Sequence, residues 1–428
     1  GFFKVISNYH PVIHIGSDLL ILTLVTKTMI QLVLGRLKDN VPLPPLTALF
    51  TVHWIWFLIA FANPYAISMV ASIAGAKVYV TMLLLFFFAY YTVKQDPREA
   101  KVIMFIWVAV TAIHVLVGFY QSYYGPSSVT SIHPRYIEIL RKYQGFAFRP
   151  VGLTNLPGTP AIYVFLAAPF LVYFFFSVKS YILKTIIFLQ IPIWVVMSFI
   201  CQIRSALLKT MVSGGLFILL YFFVNSAGAY RKKLLNAMIS LIAIAAASYL
   251  IPYSLSEAEK SIQDADRAFE RTMSLFDYNK VAGSRRNTWD RFIIYATEVP
   301  LGAGLSRTGA AGGKFADQIN SADDPFGNAF HTDNFWLATI IDLGIPGSFL
   351  LSLLIAAIFL RGLKYLKKIQ HPDHRLVHLS LLCGIFGSGV GMYGAEAMLY
   401  NPEASYFWFF SVFLIALQER SLQIDQNT

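Results

Sequence analysis

The sequence predicts an all-α, polytopic membrane protein, because its composition leaves too few charged residues for a water-facing surface. Hydrophobic residues make up 56% of the 428 residues and charged residues only 13%, whereas soluble domains carry about 25% charged residues. The mean hydropathy is +0.58. Apolar runs such as 82–88 do not alternate with polar residues, as the strands of a membrane barrel would. Lipid offers the backbone no hydrogen-bond partners, so we expect these runs to be helices.

Eleven segments are long and apolar enough to span a bilayer, which requires about 20 apolar residues. The predicted spans are residues 12–35, 46–64, 70–93, 102–122, 159–178, 182–202, 205–225, 234–252, 334–360, 377–395 and 404–418. The chain opens at Gly1, so we expect that an N-terminal segment precedes it.

Basic residues in short loops follow every second predicted span, which is the pattern of cytoplasmic loops. Examples after the first, third, fifth, seventh and ninth spans are Arg36, Lys94, Lys179, Arg231 and Arg361. The N-terminus is therefore predicted outside and the C-terminus inside. Much of the +11 net charge is this topology signal and requires no nucleic-acid partner.

The alternation divides the chain into three segments. Residues 1–252 are predicted to form spans one to eight with an outer loop at 123–158. Residues 253–333 form a large helical outer loop, in which Ser256 and Glu259 have the spacing of a capping box. Residues 334–428 contain the last three spans and a cytoplasmic tail. The outer loop at 123–158 is basic, with four Lys and Arg residues against one Glu, which indicates an anionic ligand. The loop at 253–333 carries nine basic and twelve acidic residues.

Arginines at two separate places in the chain are candidate anion ligands. Arg204 falls between the sixth and seventh spans near the outer surface, and Lys209 follows within the seventh span. A basic residue at the end of a span often only places its charged group at the membrane surface and has no further role. Ionisable residues inside a membrane, in contrast, are candidates for a functional role. Arg285 and Trp289 share one face of a predicted helix. Arg285 lies in its first turn, where free N–H groups favour anions.

A polar segment lies at the outer mouth of the ninth span and contains His331, Thr332, Asp333 and Asn334. The structural interpretation is that Thr332 or Asp333 is the N-cap of the helix. This interpretation is compatible with a catalytic role for the same segment.

Four sequence blocks, taken in order, resemble the O-antigen ligase and polymerase superfamily of bacterial membrane glycosyltransferases. The resemblance covers about residues 145–350. The blocks are 149–158 with Arg149; 203–207 with Arg204; Arg285, Trp289, Pro300, Gly302 and Gly304; and Asp333-Asn334 followed by Asp342, Gly344 and Gly347. The family's His-Asn pair falls on Asp333-Asn334, with His331 two residues earlier. The Asp-Asn version is more similar to the polymerases than to the ligases.

This resemblance implies a GT-C-like fold in the bacterial inner membrane, with an active site on the periplasmic face. It implies an undecaprenyl-pyrophosphate-linked glycan as donor, a glycan or the lipid A-core as acceptor, and a chain-length regulator as a further candidate partner. Arg204, Arg285 and Arg149 would bind the pyrophosphate. Asp333 or His331 would be the base, supported by Asn334 and Trp289. No metal and no cofactor are implied, since the sequence shows no acidic metal cluster.

Two other classes of function compete with glycosyl transfer. A transporter would carry paired broken helices and charges at mid-depth, whereas the candidate residues here lie at the predicted outer mouth and no internal repeat is evident. A membrane scaffold protein is the third class. A large ordered outer loop favours the enzyme.

The identity of the base can be tested by comparing Asp333→Asn with His331→Ala. The residue that accepts the proton of the acceptor hydroxyl should lose about 100-fold or more in rate, because general-base catalysis contributes about 10²–10⁴-fold. Polymer formation by the purified variants measures this. Equal and mild losses would mean that neither side chain is the base.

Overall fold

The computed structural model describes residues 43–76, 98–134, 148–154, 156–224, 296–309, 334–392 and 403–427, and the separate positions 23, 26, 27, 29, 30, 33, 34, 79, 86, 87, 90, 91, 136, 137, 140, 290 and 294. Within these ranges, only the backbone is described at 98–100, 204, 222, 223 and 420–427. The described residues are overwhelmingly helical, which confirms the predicted all-α class.

The helices of the described part of the chain are α1 (Thr47–Phe61), α2 (Arg98–Tyr124), α3 (Ser127–Thr130), α4 (Thr159–Ser177), α5 (Tyr181–Ile200), α6 (Arg204–Val224), α7 (Phe335–Leu366), α8 (Pro372–Gly391) and α9 (Glu403–Asn427).

Contacts divide the chain into two compact units. Unit one comprises Gly1–Leu20 and Arg98–Lys280, and unit two comprises Ile21–Pro97 and Val281–Thr428. Unit one therefore contains α2 to α6, and unit two contains α1 and α7 to α9.

Helix α4 is the centre of unit one, because it packs against α2, α5 and α6. Its side chains are largely buried, whereas few side chains of α5 are buried. Gly118 of α2 allows a close approach, since a Cβ there would meet Met197 of α5 and Pro160 of α4 at about 3 Å. The helices of unit one are thus fixed against each other at the end where α2 finishes and α4 begins.

Helix α7 is the long axis of unit two and packs against α1, α8 and α9. It is kinked at Gly344, whose φ of 72° and ψ of −179° are not helical. Two contacts connect the ends of the helices. The Phe335 N–H donates to the Met392 carbonyl at 3.0 Å, and Arg361 pairs with Glu419 at 3.6 Å. The first contact joins the start of α7 to the end of α8, so these two helices run antiparallel.

Four helices in the described part of the chain are long and apolar enough to cross a membrane. These are Lys101–Tyr124, Thr159–Ser177, Tyr181–Ile200 and Phe335–Leu366, and they coincide with the predicted spans 102–122, 159–178, 182–202 and 334–360. Two shorter apolar helices, Thr47–Phe61 and Ser205–Tyr221, fall on two further predicted spans. The predicted total of eleven spans is not confirmed, and the large outer loop at 253–333 lies mostly outside the described residues.

The kink of α7 should depend on the absence of a side chain at Gly344. In Gly344→Ala, the Cβ would overlap the backbone of Leu301 and Gly302, and the backbone conformation itself is accessible only to glycine at a cost of about 1–3 kcal/mol. We expect a lower melting temperature by far-UV circular dichroism in detergent micelles.

The matched control is Gly389→Ala in α8, because nothing lies within 4 Å of a Cβ at that position. This control should melt at or above the wild-type temperature, since alanine is the better helix former. Equal melting of the Gly344 variant and wild type would contradict the kink.

Candidate functional site

The predicted site residues are divided between the two units and the residues outside the described ranges. Arg149 and Arg204 belong to unit one, and Asn334 belongs to unit two. Arg285, Trp289, His331 and Asp333 lie outside the described residues. For Arg204, the structure gives the backbone position at the start of α6.

A loop at residues 149–158 connects to the start of α4 and carries the first candidate arginine. The buried side chain of Gln121, on the last turn of α2, holds this loop. Its Oε1 accepts hydrogen bonds from the N–H groups of Val151 at 2.9 Å and Gly152 at 2.8 Å, and its Nε2 donates to the Gly152 carbonyl at 3.0 Å. One side-chain amide thus satisfies three backbone groups, which have little access to water at this position.

Three further contacts fix the same loop. His114 of α2 accepts a hydrogen bond from the Leu153 N–H at 3.3 Å, and its ring stacks on Tyr163 of α4. The Tyr136 hydroxyl donates to the Thr154 carbonyl at 2.8 Å. Gly152 has a φ of +59°, and a Cβ there would overlap the His114 ring. A glycine is therefore required where the loop passes the helix.

The loop meets the turn between α5 and α6, where the second candidate arginine lies. A Cβ at Gly158 would overlap the Ile203 side chain, which directly precedes Arg204. The Gly158 N–H donates to the Pro150 carbonyl at 2.7 Å, so both ends of the loop lie together. The Cβ position at Gly158 also lies 3.2 Å from the Cys201 carbonyl at the end of α5. The structure therefore brings Arg149 and the first residue of α6 to the same end of unit one.

The sequence around this end of unit one is rich in cations and poor in acidic residues. The sequence contains no aspartate or glutamate between Glu138 and Glu257. Arg149 is half-buried and Lys209 of α6 is buried, with its Nζ 5.4 Å from the centre of the Phe165 ring. Charges that are partly removed from water interact more strongly than exposed ones. Two cations that are partly or fully buried at one end of the unit favour binding of an anion there.

In unit two, the glycine-rich segment after Pro300 packs directly on the kink of α7. The Ala303 N–H donates to the Ile341 carbonyl at 2.7 Å, and the Ile345 N–H donates to the Pro300 carbonyl at 2.8 Å. Gly302 has a φ of +86°, and a Cβ there would overlap the backbone at Gly344. The Gly-x-Gly and Gly-x-x-Gly elements of the sequence therefore form one junction, the glycine junction, defined by residues 300–304 and 341–347.

A buried polar group lies beside the glycine junction. The Asp342 carboxylate accepts hydrogen bonds from the Thr308 N–H at 3.2 Å and the Thr308 hydroxyl at 3.0 Å. Arg307 is 4% exposed, and its Nη2 donates to the Tyr65 carbonyl at 2.6 Å. Sequence reasoning placed Asp342 in a motif but missed Arg307 and Thr308. The signal that could have found them is an arginine and a threonine within a glycine-rich outer segment.

The predicted N-cap of α7 was wrong. The structure shows that Asn334, rather than Thr332 or Asp333, is the N-cap residue, and its side chain accepts a hydrogen bond from the Leu337 N–H at 3.1 Å. Asn334 is 3% exposed. Its backbone is extended, with φ −149° and ψ 120°, so the helix begins at Phe335, one residue later than a cap at Asp333 would give. Asp333 therefore directly precedes the cap instead of forming it.

Residues 189–352 match the model of a family described as O-antigen ligase. This match confirms the resemblance to the O-antigen ligase and polymerase superfamily. It includes Arg204, Arg285, Asp333, Asn334 and the glycine junction, whereas Arg149 precedes it. No curated protein sequence matched the chain. The match does not distinguish a polymerase from a ligase.

The Asp342–Thr308 contact should stabilise unit two. Thr308→Val removes the hydroxyl donor and leaves one oxygen of a buried carboxylate without that hydrogen bond, so we expect a loss of about 1–3 kcal/mol in the free energy of unfolding. Thr308→Ser keeps the hydroxyl and should lose much less. Thermal unfolding of both variants in detergent measures the difference, and equal stabilities would show that the hydrogen bond contributes nothing.

Proposed function

We propose that this chain, whose residues 189–352 match the O-antigen ligase family, polymerises undecaprenyl-pyrophosphate-linked oligosaccharide repeat units into a surface polysaccharide. The reaction is an inverting glycosyl transfer that uses no metal and takes place on the periplasmic face of the bacterial inner membrane. The donor and the acceptor are both lipid-linked glycans, and a chain-length regulator protein is a candidate partner.

The contact between the 149–158 loop and the start of α6 supports this proposal, because it places two arginines of the sequence motifs in the same region. A lipid pyrophosphate carries several negative charges, and more charge develops on it as the glycosidic bond breaks. Fixed cations placed where that charge develops lower the barrier. Guanidinium groups bind phosphate oxygens in a bidentate manner and stay charged. Arg149 and Arg204 supply two such groups from unit one, and Arg285 is proposed as the third.

The bond changes follow from this assignment. The acceptor hydroxyl oxygen attacks the anomeric carbon of the donor sugar, and the bond from that carbon to the pyrophosphate oxygen breaks. The electron pair of this bond leaves with undecaprenyl pyrophosphate. Asp333 or His331 accepts the hydroxyl proton. A single displacement of this kind inverts the anomeric centre. Asn334 supports the base because it fixes the start of α7 immediately after Asp333, and Trp289 is proposed to lie beside Arg285.

A ligase that transfers the glycan to the lipid A-core is the second candidate, since the matching family is described as O-antigen ligase. The donor chemistry is the same for both, and only the acceptor differs. The Asp333-Asn334 pair favours the polymerase, because it resembles the polymerase branch at the position where ligases carry His-Asn.

The choice of acceptor can be tested with lipid-linked repeat units supplied alone. The purified chain in nanodiscs receives repeat units extracted from source cells that lack its gene, and products are separated on gels. A polymerase should form a ladder of chains, since each repeat unit serves as both donor and acceptor. Product that forms only after a lipid A-core acceptor is added would identify a ligase instead.

The roles of the cations can be tested with Arg149→Ala, Arg204→Ala and Arg285→Ala. Each variant should lose about 100-fold or more in rate, which is the effect of removing one group that stabilises a developing anion. Lys179→Ala is the matched control, because Lys179 is exposed and follows the opposite end of α4. Near-normal polymer from an arginine variant would remove that residue from the site.

A further inference from the structure

We propose that Gln121 is a positioning residue for the reaction: its side-chain amide fixes the 149–158 loop so that the Arg149 guanidinium lies beside the start of α6. Gln121 does not itself contact substrate. The inference rests on the proposed function, because it assigns Gln121 a role through Arg149.

The contacts of Gln121 are directed at one point of the loop. Its side chain is 2% exposed, and its three hydrogen bonds of 2.8–3.0 Å all go to Val151 and Gly152. Both amide atoms are used, so the side chain has one orientation. An amide bound at both ends constrains the loop in position and in direction. A single contact would leave the loop free to pivot.

The helix that carries Gln121 is itself fixed relative to the rest of unit one. One turn before Gln121, Gly118 lies close to Met197 of α5 and Pro160 of α4. Two turns before it, the His114 ring stacks on Tyr163 with 4.0 Å between ring centroids. Gln121 therefore connects the loop to a helix that is packed against α5, the helix that leads into the α5–α6 turn.

Only Pro150 separates Arg149 from the first residue that Gln121 holds. The proline ring fixes the φ angle at this position. The Pro150 carbonyl also accepts the Gly158 N–H at 2.7 Å, which closes the loop on the other side. The hydrogen bonds from Gln121 to Val151 and Gly152 therefore also restrict the position of the Arg149 backbone. A Cβ at Gly158 would lie 3.2 Å from the carbonyl of Cys201, three residues before α6 begins at Arg204. The closed loop that carries Arg149 therefore lies against the start of α6.

Loss of the Gln121 amide would leave two backbone N–H groups and one carbonyl without their partners. Such groups find other partners by moving, so the loop and Arg149 would shift. A displacement of about 1 Å in a positioning group can reduce a rate about 100-fold. Because Arg149 is proposed to bind the donor pyrophosphate, the displacement should weaken donor binding as well.

The test is a double-mutant cycle with Gln121→Leu and Arg149→Ala in the purified full chain, assayed with lipid-linked repeat units. If Gln121 acts through Arg149, each single variant should lose activity, and the double variant should be no worse than Arg149→Ala alone. Gln121→Leu should also raise the donor KM in the same direction as Arg149→Ala. Wild-type activity of Gln121→Leu would overturn the inference, and so would losses that multiply in the double variant.

Two further variants keep the test decisive. Gln190→Leu in α5 is the matched control, because the Gln190 amide oxygen accepts no hydrogen bond among the described residues. This control should retain near-normal activity. A loss of activity equal to that of Gln121→Leu would overturn the inference. If Gln121→Leu does not fold, the cycle is run with Gln121→Glu. This variant keeps an oxygen acceptor for Val151 and Gly152 but loses the donor to the Gly152 carbonyl, and multiplied losses again overturn the inference.

Failure of the inference is distinguishable from failure of the proposed function. If the wild type makes no polymer and no ligated product, the proposed function fails. If Arg149→Ala is inactive while Gln121→Leu is fully active, the function stands and the role of Gln121 is wrong. Binding of undecaprenyl pyrophosphate, measured as thermal stabilisation of the purified chain, gives a readout independent of turnover. Gln121→Leu should weaken that binding about as much as Arg149→Ala.

Discussion

The hydrogen-bonding requirement of backbone amides in apolar surroundings is the constraint on which the rest of this structure depends. Helices satisfy it internally, but a loop that returns into a helix bundle does not. In unit one, the loop at 149–158 satisfies it through Gln121, which serves three backbone groups at once. The same contacts place a half-buried arginine beside the start of α6. Loop stability and the position of a candidate anion ligand therefore have a common physical cause.

Unit two meets the same requirement with glycine instead of a polar side chain. At the glycine junction, the segment at 300–304 approaches α7 so closely that backbone groups bond directly, as in the 2.7 Å contact from Ala303 to Ile341. Side chains at Gly302 and Gly344 would prevent this approach. Direct backbone pairing and the Asp342–Thr308 contact fix the middle of α7, and Asn334 caps its start. The residue before that cap is the proposed base.

The sequence was sufficient for the features that depend on local composition. Long apolar runs predicted α2, α4, α5 and α7 closely, because span length and hydropathy are properties of contiguous residues. The family resemblance identified the motif glycines. It did not predict that Gly302 and Gly344 contact each other, because they are about 40 positions apart in the sequence. Nothing around Gln121 indicates a partner 30 residues further along the chain.

The N-cap of α7 shows a second limit of sequence reasoning. Thr332, Asp333 and Asn334 are all residue types that cap helices well. Preference alone therefore cannot choose among three neighbouring candidates. The choice depends on which residue adopts the extended backbone conformation, and in the structure this is Asn334. The identity of the cap affects the proposed chemistry. A carboxylate that caps a helix is engaged by the backbone N–H groups of the first turn, and here Asn334 takes that role instead of Asp333.

Three guanidinium groups that are distant in the sequence are proposed to bind one diphosphate on the outer side of the membrane. A cryo-EM structure of the chain in nanodiscs with undecaprenyl pyrophosphate would locate that diphosphate. We expect its density within hydrogen-bonding distance, about 3 Å, of Arg149, Arg204 and Arg285. Density elsewhere, or Arg204 and Arg285 on opposite sides of the bilayer, would contradict this proposal.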